Sequence, residues 1–76
     1  MEELLEILKG VRADVDFENE TGLIDDGILD SFDVVAIIYE IDDRFGVQIR
    51  INELDPENFN SVENIWNLIR KLKSKE

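Results

Sequence analysis

The sequence predicts an all-α fold: three main helices, one short helix, and a long loop after the first helix. Three observations carry this. Apolar residues recur at helical spacing over 1–12, 31–45 and 61–72. Helix-start chemistry stands ahead of each later segment: Asp30-Ser31, then Asp55-Pro56, then Asn60-Ser61. Between the first two helical segments, residues 13–30 hold the turn formers Asn19, Thr21, Gly22, Asp25, Asp26 and Gly27.

In the first helix, Leu4, Leu5, Ile7, Leu8 and Val11 share one stripe of the helical wheel. Glu2, Glu3 and Glu6 suit the positive end of the helix dipole, and Lys9 and Arg12 the negative end. Gly10 weakens the last turn. In the loop that follows, Leu23, Ile24, Ile28 and Leu29 are expected to tuck into the core. A structureless stretch of this length in a small domain is uncommon and often functional.

Residues 31–45 give the clearest helix. Val34, Ile37, Ile38, Ile41 and Phe45 gather in one wide sector, the core face. Phe32, Val35, Ala36 and Tyr39 fall on the opposite side, bordered by Asp33, Glu40, Asp42 and Asp43. A small domain cannot easily bury both faces of one helix. An exposed apolar strip rimmed by acids is therefore expected, and such strips mark protein contacts. Coverage of the strip by the long loop or by self-association is the competing reading.

Residues 46–60 are a connector holding a one-turn helix start, with Asp55 as N-cap and Pro56 at the first helical position. The last helix, 61–72, takes Ser61 or Asn60 as its cap and aligns Val62, Ile65, Trp66, Ile69 and Leu72. Lys71, Lys73 and Lys75 complement its C-terminal dipole. One pattern competes: Val47-Gln48-Ile49-Arg50-Ile51 and Val15-Asp16-Phe17 alternate with period two. A lone two-stranded ribbon is marginal, and extended segments laid on helices give the same alternation, so the helical reading is preferred.

The 76 residues point to one domain, 1–76, with a small core, since a chain of this size buries only about 60–65% of its unfolded surface. Eight basic residues stand against 19 acidic, a net charge of −11. Residues 1–69 hold four basic and 18 acidic residues, a net of −14. Such a surface repels nucleic-acid backbones and anionic lipid and attracts basic protein surfaces. The longest uninterrupted apolar run, Val34–Tyr39, is far too short to span a bilayer. Met1 is followed by Glu2, Glu3 and Glu6, the opposite of the basic start of a signal peptide, and cysteine is absent; a cytoplasmic location is expected. With no histidine and no cysteine, a serine nucleophile has no imidazole base and no His/Cys metal site can form. An enzyme is not expected.

Ser31 stands at the head of the two-faced helix, as N-cap or first-turn residue. A helix N-terminus offers free N–H groups and partial positive charge, which stabilise an attached phosphate. The flanking Asp30 and Asp33 oppose a transferred anion unless a metal or a basic partner screens it.

The stretch LIDDGILDSFDVVAIIYEIDDRFGVQI, residues 23–49, strongly resembles the attachment region of acyl carrier proteins and their peptidyl- and D-alanyl-carrier relatives. The family pattern, Asp-Ser-apolar at the start of the second helix, reads here as Asp30-Ser31-Phe32. The resemblance extends over nearly the whole chain, through Phe45, ELDPENF (53–59) and NSVENI (60–65). It implies a four-helix bundle of carrier-protein type and 4′-phosphopantetheine joined to Ser31 by a separate phosphopantetheinyl transferase using Mg²⁺ and coenzyme A. The arm's thiol would hold an acyl or aminoacyl group as a thioester, supplying the sulfur this chain lacks. The second helix would present that group to a loading ligase and to acyl-transferring enzymes with basic docking surfaces. Asp30, Asp33, Asp42 and Asp43 would meet basic residues there, and Phe32, Val35 and Tyr39 would make apolar contacts. A monomer is expected.

Two positions depart from typical fatty-acid carriers: Ala36, where those have Glu, and Tyr39, where they have Met or another aliphatic residue. The segment Leu29-Asp30-Ser31-Phe32 is common among D-alanyl carriers and among specialised stand-alone carriers, although D-alanyl carriers often have a small residue where Asp33 stands. Fatty or polyketide chains and D-alanine remain alternative cargoes. Two other readings compete with the carrier. One is an acidic interaction module without a prosthetic group. The other is loose Mg²⁺ or Ca²⁺ association that relieves charge repulsion; residues 25–33 lack the spacing of a specific calcium loop.

Overall fold

The computed structural model describes residues 1–74, and for Ile51 the backbone alone. The elements are α1 (Glu2–Val11), α2 (Ser31–Phe45), a 3₁₀ turn (Ile51–Glu53), α3 (Pro56–Phe59) and α4 (Val62–Lys73). This is the expected all-α arrangement of three main helices and a short one. α1 packs on α2 and on α4, and α3 packs on α4.

Each helix buries the stripe its spacing defines. α1 contributes Leu4, Ile7 and Leu8, α2 contributes Ile37 and Ile41, and α4 contributes Val62, Ile65, Leu68 and Ile69. Phe45, half-buried at the end of α2, meets Trp66 of α4 edge to face, with ring centroids 6.0 Å apart. α2 stops at Gly46, whose φ of 68° is the left-handed cap that glycine adopts without strain; its N–H donates to the Asp42 carbonyl.

The long loop is a packed part of the core. Phe17, Leu23 and Leu29 are buried, and Ile24 and Ile28 are half-buried. Asn60 clasps the loop to the α3–α4 junction. Its Oδ1 accepts the Ile24 and Asp25 N–H groups at 3.1 and 3.0 Å, its Nδ2 donates to Asp25 Oδ2 at 3.1 Å, and its carbonyl accepts the Leu23 N–H at 2.9 Å. Asn60 is thus taken by the loop, and the cap of α4 is Ser61, whose Oγ accepts the Asn64 N–H at 3.1 Å. Asp55 occupies the N-cap position of α3 in extended conformation without a side-chain cap bond, and Pro56 opens that helix.

No strand occurs among the described residues. In the alternating segment Val47 is buried, Ile49 half-buried, and Gln48 and Arg50 exposed, so the period-two pattern comes from extended chain laid on helices. Lys75 lies outside the described residues.

Candidate functional site

The head of α2 is built by a capping box. Asp30, at φ −99° and ψ −178°, accepts the Asp33 N–H on its Oδ1 at 2.9 Å, and Asp33 Oδ2 accepts the Asp30 N–H at 3.2 Å. The cap is therefore Asp30. Ser31 is the first helical residue, exposed, with its hydroxyl relieved of the capping task.

Past Ser31 the outer face of α2 is as its spacing predicts. Phe32 is 84%, Val35 64% and Tyr39 72% exposed. Asp30, Asp42 and Asp43 are exposed around them, while Ala36 is half-buried. Asp33 has a partner within the chain. Its side chain is only 15% exposed, and its Oδ2 accepts a hydrogen bond from Arg12 Nη1 at 2.8 Å in addition to the Asp30 N–H. Asp33 is oriented toward the end of α1, not outward toward a partner.

Arg12 had signified only a dipole complement. Its Nε and Nη2 donate to the two oxygens of Asp14 at 3.0 Å each, and its Nη1 also reaches the Ile28 carbonyl at 3.2 Å. The hydrogen bond from Arg12 holds the Asp14 carboxyl below its ordinary value, helped by a backbone bond. The bonds to Asp14 and then to Asp33 raise the guanidinium above its ordinary value. One sequence signal pointed here: Arg12 is the sole basic residue between positions 10 and 43.

Beside Ser31 runs an apolar groove of about 320 Å³. The loop end (Ile24, Leu29), α2 (Val34, Val35, Ile38), Leu54 ahead of α3 and α3 itself (Pro56, Phe59) line it, with Asp30 and Ser31. Sequence reading placed Ile24 and Leu29 in the core and gave Leu54 no part; bringing them together at Ser31 takes the tertiary fold. Among the described residues no three His, Cys, Asp or Glu side chains converge as a metal site, and no helix is long and apolar enough to cross a membrane.

An exposed serine at the head of an acid-rimmed helix with one apolar face outward, carried on a small helical bundle, is the architecture of a carrier protein. No family model matches the chain. Among curated proteins it is similar to the D-alanyl carrier protein of Bacillus velezensis, 35% identical over 74 residues and 95% of each chain. It is similar as well to the D-alanyl carrier proteins of Bacillus subtilis, 34% identical over 95% of each chain, and of Streptococcus sanguinis, 27% identical over 95% of this chain and 92% of that one. The chain belongs to the acyl carrier protein family. It is a carrier, not an enzyme, and with membership comes the 4′-phosphopantetheine group that the resemblance implied. The residues present fit that group: an exposed hydroxyl on the first turn of a helix, with an apolar groove alongside.

Proposed function

We propose that the chain is a cytoplasmic D-alanyl carrier whose Ser31 Oγ holds the 4′-phosphopantetheine arm through a phosphodiester. The observation that carries the attachment is the division of labour at the head of α2: Asp30 caps the helix, and Ser31 is exposed. The free N–H groups of the first turn favour the phosphodiester charge. The arm, when bound, supplies a terminal thiol that holds the cargo as a thioester. Attachment forms the Ser31 Oγ–phosphorus bond and releases the rest of coenzyme A; the serine proton passes to a base of the transferase, since this chain has no histidine and its Asp30 is occupied by the cap.

Phe32, Val35 and Tyr39, with Asp30, Asp42 and Asp43 around them, form the surface on which the transferase, a D-alanine-loading ligase and an acyl-transferring enzyme dock. Basic residues on those enzymes meet the acids, which speeds encounter and fixes register. The relatives named D-alanyl carrier protein support D-alanine over a fatty or polyketide chain, and Ala36 and Tyr39 depart from the pattern of typical fatty-acid carriers.

Coexpression with a broad-specificity phosphopantetheinyl transferase tests the attachment by intact mass. The expected result is a gain of one arm that Ser31→Ala abolishes; no gain with several transferases overturns it. The modified protein is then offered D-alanine, ATP and a D-alanine-activating ligase, or malonyl groups and a malonyl transferase. Loading by malonyl alone overturns the cargo assignment.

A further inference from the structure

Arg12 stands at the end of α1, far in sequence from Ser31, yet it reaches both sides of the attachment turn. Its Nη1 donates to the Ile28 carbonyl, three residues before Ser31, and to Asp33 Oδ2, two residues after it. The same Asp33 oxygen accepts the Asp30 N–H, so the links run from α1 through Arg12 and Asp33 to the residue adjoining Ser31. The other edge of the guanidinium is fixed in bidentate fashion by Asp14. A planar guanidinium held on two edges is an oriented support in a way that a lysine ammonium is not.

The surroundings distinguish this pair from the other long-range ion pairs. Lys9–Glu18 and Arg44–Glu3 are loose, at 3.7 and 3.6 Å, with about half or more of each side chain exposed. Arg12–Asp33 closes to 2.8 Å with side chains 32% and 15% exposed, a hydrogen-bonded contact sheltered from solvent. Arg12 also answers the electrostatic objection to Ser31. An anion forming at Ser31 faces Asp30 and Asp33, and Arg12, whose one charge is shared between Asp14 and Asp33, offsets part of the Asp33 charge from within the chain.

We propose that Arg12 is a positioning residue for modification of Ser31: it holds the first turn of α2 in register with the loop and offsets part of the Asp33 charge beside the forming phosphodiester. This rests on the assignment of Ser31 as the attachment residue. Arg12 lies outside the docking face, so its removal affects the transfer step more than recognition of the carrier.

The test measures arm-transfer kinetics with coenzyme A and purified transferase, at a temperature where melting curves show every variant folded. Arg12→Met is expected to lower kcat about tenfold, within the range that small misplacements cost, with KM for the carrier little changed. Arg12→Lys, which keeps the charge and loses the fork, recovers part of kcat. Asp33→Asn placed on Arg12→Met recovers the electrostatic part, because the unscreened charge is gone; a merely structural arginine gives no such rescue. In the unmodified protein, amide hydrogen exchange at Asp30, Asp33 and Val34, whose N–H groups are bonded within the capping turn, rises in Arg12→Met while that of Ile65 and Ile69 stays unchanged. Wild-type kcat in a folded Arg12→Met, or a change confined to KM, overturns the proposal. If Arg12→Met does not fold, Arg12→Lys decides by the same split: an unchanged kcat together with unchanged exchange at Asp30, Asp33 and Val34 overturns it. Failure of the wild-type chain to gain an arm, or a gain that survives Ser31→Ala, instead refutes the attachment assignment.

Discussion

Two long connectors flank α2, and they are built differently. Residues 12–30, which lead into Ser31, bury Phe17, Leu23 and Leu29 and are tied by Arg12 at one side and Asn60 at the other. Residues 46–55, which lead away, bury Val47 and leave Leu54 exposed. The Glu53 N–H donates to the Arg50 carbonyl at 2.9 Å, Asn58 Nδ2 donates to the Glu53 carbonyl at 2.9 Å, and Glu53 Oε2 is buried without a partner. The approach to Ser31 is fixed by apolar burial and side-chain clasps; among the described residues, the exit from α2 is held by fewer ties. The proposed attachment at Ser31 calls for the first kind of connector, since it needs the serine held in one geometry.

The largest expected difference is in burial. Phe17→Ala removes a fully buried ring from the first connector and should cost roughly 3–5 kcal/mol, a large share of the 5–15 kcal/mol typical of a folded domain. Val47→Ala removes a smaller buried side chain from the second connector and should cost less. Urea unfolding compares the two, and equal midpoints would erase the distinction.

Next come the clasps. Asn60→Ala leaves the half-buried Ile24 N–H without its acceptor and should cost about 1–3 kcal/mol. Asn58→Ala, its counterpart beside the second connector, frees one carbonyl and should cost about 1 kcal/mol or less. If the order reverses in chemical denaturation, the second connector is the better-tied one.

Gly27 sharpens the comparison through backbone alone. Its φ is 71°, and an added Cβ would meet nothing within 4 Å, so Gly27→Ala tests conformation without a clash. The expected loss is about 1–2 kcal/mol, with Gly27→Asn recovering part of it because Asn tolerates the left-handed region. Melting curves of the three proteins check this.

These differences also mark what the sequence could disclose. Helical periodicity gave α2 its bounds and both its faces, because burial follows the wheel: Ile37 and Ile41 in, Phe32, Val35 and Tyr39 out. Local cap chemistry placed Ser31 at a helix start but left open whether it or its neighbour was the cap, and a two-residue ambiguity of that kind is decided by side-chain geometry. Asn60 or Ser61 was open for the same reason. Contacts spanning many residues carried no periodic signal. The Arg12–Asp33 bond joins residues 21 apart and the Asn60 clasp reaches 36, so the internal partner of Asp33 was not legible in the sequence. The apolar groove at Ser31 was hidden likewise, since its walls come from the loop, α2 and the start of α3.

The smallest expected effect is electrostatic and concerns the outer edge of Arg12. The Arg12 hydrogen bond lowers the Asp14 carboxyl in the folded chain from its ordinary 3.8. The folded state therefore binds fewer protons than the unfolded state between the depressed value and 3.8. The resulting stabilisation is present in full above 3.8 and is lost as pH falls through that window. Because Asp14 is exposed, the contribution is small. In urea titrations across acid pH, Asp14→Asn should be less stable than wild type at neutral pH, and the gap should close as pH drops below 3.8. Arg50, in the second connector, makes no ion pair among the described residues, so Arg50→Ser should shift the curve without that convergence. A gap between wild type and Asp14→Asn that stays constant through the acid range would mean that Asp14 is not charge-coupled to Arg12, and that Asp33 and the Ile28 carbonyl hold the guanidinium on one side alone.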